Sequence, residues 1–178
     1  MTMTYRKIII FVCLFMTLLP TLTHAEKRKF QIDVLVFKQN SDTSEEMLTS
    51  YPPLKWPKKM IEPGEKTTKV ISTSSSKLAE AAAMLARKPQ YSILAHQSLE
   101  QVISSEKAGN YVHIKGNGAN GFVRLKRGHN LHLNIGMEYP NESTENTFVI
   151  SEKRRVLLNK KHYFDHPRIG VITHVSPL

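Results

Sequence analysis

The chain has 178 residues, 25 of them Lys or Arg and 15 Asp or Glu, for a formal net charge of +10. That length fits one domain, and 40% hydrophobic with 22% charged residues argues against a disordered tail or a polytopic membrane protein. One cysteine excludes a disulfide framework within the chain.

Residues 1–25 carry the three parts of a secretory signal. Arg6 and Lys7 form the charged start, and Ile8 to Leu19 is an apolar run interrupted only by Thr17. The run is too short to cross a hydrocarbon layer of about 30 Å as a helix rising about 1.5 Å per residue. After Pro20, the stretch Thr21 to Ala25 places small residues ahead of Glu26, so cleavage is expected after Ala25. An uncleaved N-terminal anchor is the alternative. Removal of the leader takes away Cys13, two of the basic residues and none of the acidic ones, leaving residues 26–178 with a net charge of +8. The processed chain has no thiolate nucleophile and no Cys-based metal site. For an exported basic protein, nucleic acid drops down the list of partners, and anionic lipid, acidic polysaccharide and wall-peptide carboxylates move up. Charge that merely maintains solubility is the plainer reading.

Phe30 to Lys38 reads as a strand: Phe30, Ile32, Val34 and Val36 alternate with Gln31, Asp33, Leu35 and Phe37. Leu35 and Phe37 predict that its second face is partly covered, as by a helix. Residues 39–75 form a long Pro/Ser-rich irregular segment that Tyr51, Leu54, Trp56, Met60 and Ile61 are placed to tether. Ser74 to Ser76 precede a predicted helix over Lys77 to Arg87, stopped by Pro89. Tyr91 to His96 is a second strand. Tyr111 to Lys115 alternates, and the Gly116 to Gly121 cluster predicts a turn. Val123, Leu125, Leu131, Leu133, Ile135 and Met137 then share one parity, with Gly128 as hairpin turn or bulge. Pro140 to Asn146 reads as a turn or loop; its formal sequon, Asn141-Glu142-Ser143, reads as turn chemistry. Thr147 to Leu158 and Ile169 to Val175 complete the strands, separated by a loop over 159–168. The expected fold is α+β: a single domain over 26–178, mainly one antiparallel sheet of five or six strands with at least one helix packed on a face.

Seven histidines remain beyond the leader, and His162-Tyr163-Phe164-Asp165-His166-Pro167 is the sharpest cluster. Imidazoles and a carboxylate are zinc-site materials, but histidines four apart share a face only on a helix, which Pro167 and Asp165 oppose. A tight turn, with Asp165 capping backbone N–H groups, is the expected structure; no metal and no cofactor are expected. No Gly-x-Ser-x-Gly elbow is present, and Gly116-Asn117-Gly118 lacks the Lys-Ser/Thr ending of a phosphate loop.

The basic residues bunch on strands: Arg124, Lys126 and Arg127 precede His132, while Lys153, Arg154 and Arg155 precede Lys160 and Lys161. On a pleated strand Lys153 and Arg155 share one face and Arg154 takes the other. Arg124, Lys126, Arg127, His132, Arg154 and Arg155 are the candidate carboxylate ligands, with Tyr163 to stack on a sugar. A solvated edge that discourages aggregation is the plainer alternative.

The final third of the chain resembles the CsiV peptidoglycan-binding proteins of the Gram-negative periplasm. The resemblance rests on Ser151-Glu152-Lys153-Arg154-Arg155, His162 to Pro167, Gly170-Val171-Ile172 and Val175-Ser176-Pro177. Asn130-Leu131-His132-Leu133 and Asp33-Val34-Leu35-Val36-Phe37 are similar to further segments, and Leu99 stands where a tryptophan is common. The resemblance implies a non-catalytic periplasmic protein that binds peptidoglycan and supports wall assembly or cell shape. Two alternatives stay open: a metal-dependent envelope hydrolase using His162, Asp165 and His166, and an adaptor recruiting a wall-synthesis or outer-membrane partner through residues 39–75. No nucleic-acid partner and no stable membrane span after leader removal are expected.

Overall fold

Alternating side chains that are apolar on both faces require a strand covered from both sides, and the chain supplies one at its start. The computed structural model describes residues 27–40, 52–104, 107–141 and 147–178. The expected leader, its cleavage point and Tyr51 lie outside these residues. Strand β1 (Lys27–Gln39) is central in a five-stranded antiparallel sheet ordered β2 (Thr68–Ile71), β3 (Tyr91–Ser104), β1, β9 (Ile169–Pro177), β8 (Lys161–Asp165). A second sheet is a four-stranded meander of β4 (Val112–Gly116), β5 (Ala119–Arg127), β6 (Leu131–Pro140) and β7 (Thr147–Val156). The two pack as a sandwich around one apolar core. Phe30, Ile32, Val34 and Val36 of β1 meet Val123, Leu125, Leu133, Ile135 and Met137 there.

The architecture corrects the expectation of one sheet of five or six strands with a helix packed on it. The only α-helix among the described residues, α1 (Ala79–Ala86), buries none of its residues. Its Leu78 lead-in is fully buried instead, and the Ser76 hydroxyl accepts the Leu78 backbone N–H at 3.1 Å. No helix among the described residues is long and apolar enough to cross a membrane. Tyr91 begins a 14-residue strand rather than a short one, and Leu99 on it is a core residue. Residues 161–165 form β8 rather than part of a tight turn, because Phe164 is drawn into the core.

Turn chemistry is as the residue types dictate. Asn117 and Gly118 both have positive φ, 43° and 82°, which makes the two-residue β4–β5 hairpin. Gly128 lies in the β5–β6 turn, its N–H donating to the Asn130 carbonyl at 3.2 Å. Residues 52–61 cross the outer face of the four-stranded sheet, where Leu54 is buried over Gly136, and end beside the β4 edge, where Ile61 joins the core. Ile61 N–H donates to the Tyr111 carbonyl, and His113 N–H donates to the Ile61 carbonyl, at 2.9 and 3.0 Å. Gly136 has no side chain because a Cβ would fall 2.4 Å from Phe122 Cζ and 2.9 Å from Leu54 Cδ1.

The outer face of β1 carries a buried polar cluster. Asp33 is fully buried, and its carboxylate accepts hydrogen bonds from Ser98 Oγ, from Gln31 Nε2 at 3.0 Å and from the Lys77 backbone N–H at 3.1 Å. These bonds tie the segment ahead of α1 to the sheet and satisfy a charge that would otherwise be too costly to bury. His174, its neighbour on β9, stands 3.6 Å away through Nδ1, too far for a hydrogen bond.

Burial holds His96, His166 and His174 below the ordinary imidazole value, although a neighbouring aspartate opposes it in each case. The folded protein keeps these rings neutral, whereas the unfolded chain protonates them near pH 6.5. Their contribution is therefore complete above that value and lost as the pH falls below it. We expect the thermal midpoint to drop between pH 7.5 and about 5.5, with a shallower drop in His174→Gln. A midpoint independent of pH over that window would contradict this assignment.

Candidate functional site

The meander sorts the basic residues by parity. Side chains alternate along β5, so Leu125 and Val123 enter the core while Phe122, Arg124 and Lys126 point outward. Register then places Arg124 opposite Asn134 and Asn134 opposite Lys153. One step along, Lys126 faces His132 and His132 faces Arg155. Two rows result, each with cations on the flanking strands and a neutral or weakly basic group between them. Strands lie about 4.8 Å apart, so the cations of a row have backbones about 10 Å apart, and their repulsion is screened by water and salt.

Within this face lies a hollow of about 210 Å³ lined by Tyr111, Arg124, Lys126, His132, Asn134 and Lys153, together with Ala108. Among the described residues no acidic side chain lines it. Arg124 is held by its Nε–H donating to the Gly109 carbonyl at 3.0 Å and by stacking over Tyr111, with 4.5 Å from Cζ to the ring centroid. Asn134 donates to the Tyr111 hydroxyl at 3.2 Å. Tyr111 meets Phe122 edge-on at 5.2 Å, and Phe122 meets Trp56 at 5.9 Å, so the overlying 52–61 segment buttresses the site. The arrangement suits a planar anion: a fixed guanidinium offers paired donors, and a lysine across the hollow adds a point charge.

The structure does not bring every candidate residue here. Arg124, Lys126, His132 and Arg155 share the outer face. Arg127 has the opposite parity at the end of β5. Arg154 also points to the inner side, where its guanidinium covers Phe164 at 4.0 Å and its Nη2 donates to Glu152 at 2.8 Å. Tyr163 belongs to the other sheet altogether. Lys153 and Tyr111 line the hollow and were not among the candidates. Parity with Arg155 is the signal that finds Lys153, while Tyr111 is found only through the fold.

The His162 to Pro167 motif is likewise divided. On β8 the alternation sends His162 and Phe164 one way and Tyr163 and Asp165 the other, and His166 follows the end of the strand. His162 Nε2 accepts the Leu157 N–H at 2.9 Å, His166 is buried beside Phe148 with its Nδ1 accepting the Arg168 N–H at 3.1 Å, and Asp165 accepts the Tyr163 hydroxyl at 2.8 Å. The aspartate bonds a side chain rather than capping backbone N–H groups, which corrects the turn expected from sequence. Among the described residues no group of three His, Cys, Asp or Glu side chains is placed to hold a metal ion. A second, larger opening of about 550 Å³ runs between Pro52, Pro53, β7 and the end of β8, and it mixes Lys55 with Glu152 and Asp165.

Fold and site together define an antiparallel β-sandwich with one strongly cationic sheet face. The chain belongs to the CsiV family of peptidoglycan-binding proteins, whose sequence profile matches residues 5–178. None of the curated proteins and none of the solved structures matches it.

A cluster of cations is stabilised by any anion that binds it in the folded state. Citrate is expected to raise the thermal midpoint more than sodium chloride of equal ionic strength, and the variant Arg124→Ala/Lys153→Ala is expected to lose that difference. An unchanged difference in the variant would place the anion elsewhere.

Proposed function

We propose that this protein is a non-catalytic, periplasmic peptidoglycan-binding protein that supports cell-wall assembly and cell shape, and that its four-stranded sheet grips stem-peptide carboxylates. Membership of a peptidoglycan-binding family supports the ligand and a place in the cell envelope. The residues preceding Glu26 act in this reading as the export leader, and residues 26–178 as the mature domain.

The observation that carries the binding mode is the hollow between Arg124 and Lys153, which no acidic side chain lines among the described residues. At about 210 Å³ it is smaller than the roughly 300 Å³ at which pockets for whole drug-sized ligands begin. Its volume suits one carboxylate-bearing amino-acid unit, while the rest of a wall fragment lies outside. Lys126, His132 and Arg155 form the rim on one side, and the fixed Arg124 sets the orientation of the carboxylate. Arg154, engaged with Glu152 and Phe164, belongs to the sandwich and not to the ligand.

Binding carried by exposed cations weakens with salt, since the screening length shrinks from about 10 Å at 0.1 M to about 3 Å at 1 M. Purified protein is expected to co-sediment with sacculi at low salt and to be released as salt rises. A charge-assisted hydrogen bond contributes about 1.5–3 kcal/mol, so Arg124→Ala/Lys153→Ala is expected to weaken retention by at least tenfold. Arg154→Ala is expected to bind as wild type while losing stability. Wild-type retention in the double variant would remove the hollow from the binding mode.

A further inference from the structure

The outer face of the five-stranded sheet carries a different kind of surface. Phe37 of β1 leans across Gly170 of β9, where a Cβ would fall 2.4 Å from Phe37 Cζ, and so reaches the edge strand. There it lies nearly parallel to Tyr163, at 6.1 Å between centroids and 8° between planes, while Tyr91 of β3 meets its other side edge-on at 5.5 Å. The three rings form a row across four strands, anchored by fully packed Phe37. Tyr163 ends the row and remains 46% exposed.

Tyr163 is also fixed at its polar end. Its hydroxyl donates to Asp165 Oδ1 at 2.8 Å, and both residues stand on the same face of β8. Burial, then the bond to Asp165, raises the phenol above its ordinary value. Glycine at 170 and a carboxylate clamp on an exposed ring are more than covering Phe37 requires. A rigid, half-exposed aromatic with an acceptor beside it matches the needs of a sugar: the ring takes the apolar C–H face of a pyranose, and the carboxylate accepts its hydroxyl or amide protons. The same carboxylate repels anions, which separates this surface from the hollow on the other sheet.

We propose that the Tyr91–Phe37–Tyr163 row is a second binding site, a platform on which Tyr163 stacks an uncharged N-acetylated pyranose of a glycan strand while Asp165 accepts its polar hydrogens. The choice of an amino-sugar glycan rests on the peptidoglycan reading; the site itself is independent of the cationic hollow. The two sites lie on the outer faces of different sheets, so the protein would meet the wall through two surfaces.

The test uses the purified protein and a tetramer of N-acetylglucosamine, which has no carboxylate and no peptide. Binding by wild type, followed by nuclear magnetic resonance with the Tyr163 ring signals as reporter, is expected to be lost by about tenfold or more in Tyr163→Ala. Asp165→Ala is expected to weaken it several-fold, and Arg124→Ala/Lys153→Ala to leave it unchanged. Wild type that ignores the tetramer, or Tyr163→Ala that binds it equally, overturns the platform. If Tyr163→Ala does not fold, the wild-type ring signals decide: movement on titration supports the site and stillness overturns it. Sacculus retention is scored separately, so its loss with tetramer binding intact would sink the carboxylate reading and leave the platform standing.

Discussion

The register of β5, β6 and β7 is the constraint on which the functional reading depends. Because side chains alternate with a period of two, a slip of one residue would turn Arg124, Lys126, Lys153 and Arg155 into the core and expose Leu125, Leu133 and Ile135. Burial of those aliphatic side chains contributes about 1.5–3 kcal/mol apiece, which far exceeds the repulsion among screened surface cations. The hydrophobic effect thus positions the charges. The neutral Asn134 and the weakly basic His132 on the middle strand keep the strongest cations from standing directly opposite each other, an arrangement that like charges on paired strands disfavour.

The five-stranded sheet solves a different problem. Its centre, β1, is buried on both faces, yet it carries Gln31 and Asp33 where an apolar residue would cost less to bury. Their hydrogen bonds to Ser98 and to the backbone around residues 75–77 fix the crossing that precedes α1. At the other end of the same face the aromatic row replaces the polar cluster. One sheet therefore presents cations and the other presents rings, and the core between them keeps the two surfaces apart.

Much of the strand content was legible in the sequence, because period-two patterning is a local property. The parity of Val123 through Met137 and the buried alternation of 30–37 both appear in the structure. The division into two sheets was not legible, since strand partners are far apart in sequence: β1 pairs with residues 91–104 and 169–177. The same limit explains the site. Alternation alone separates Arg154 from Arg155 and puts Lys153 with Arg155, but only pairing shows that Arg124 and Lys153 flank Asn134 and that Tyr163 lies on another sheet. The His162 to Pro167 segment misled for a local reason. Pro167 and Asp165 signal a turn, whereas the pull of Phe164 into the core extends the strand up to Asp165, two residues before the proline.

The position of the carboxylate ligand is the central claim, and residue-resolved mapping tests it most directly. An isotopically labelled protein titrated with a soluble wall stem peptide reports every backbone amide at once. The account predicts perturbations concentrated on residues 124–126, 132–134 and 153–155, with those of 109–111 following. Perturbations centred instead on the opening between Pro52, Pro53 and the 165–167 segment, or none above those caused by chloride, would contradict it.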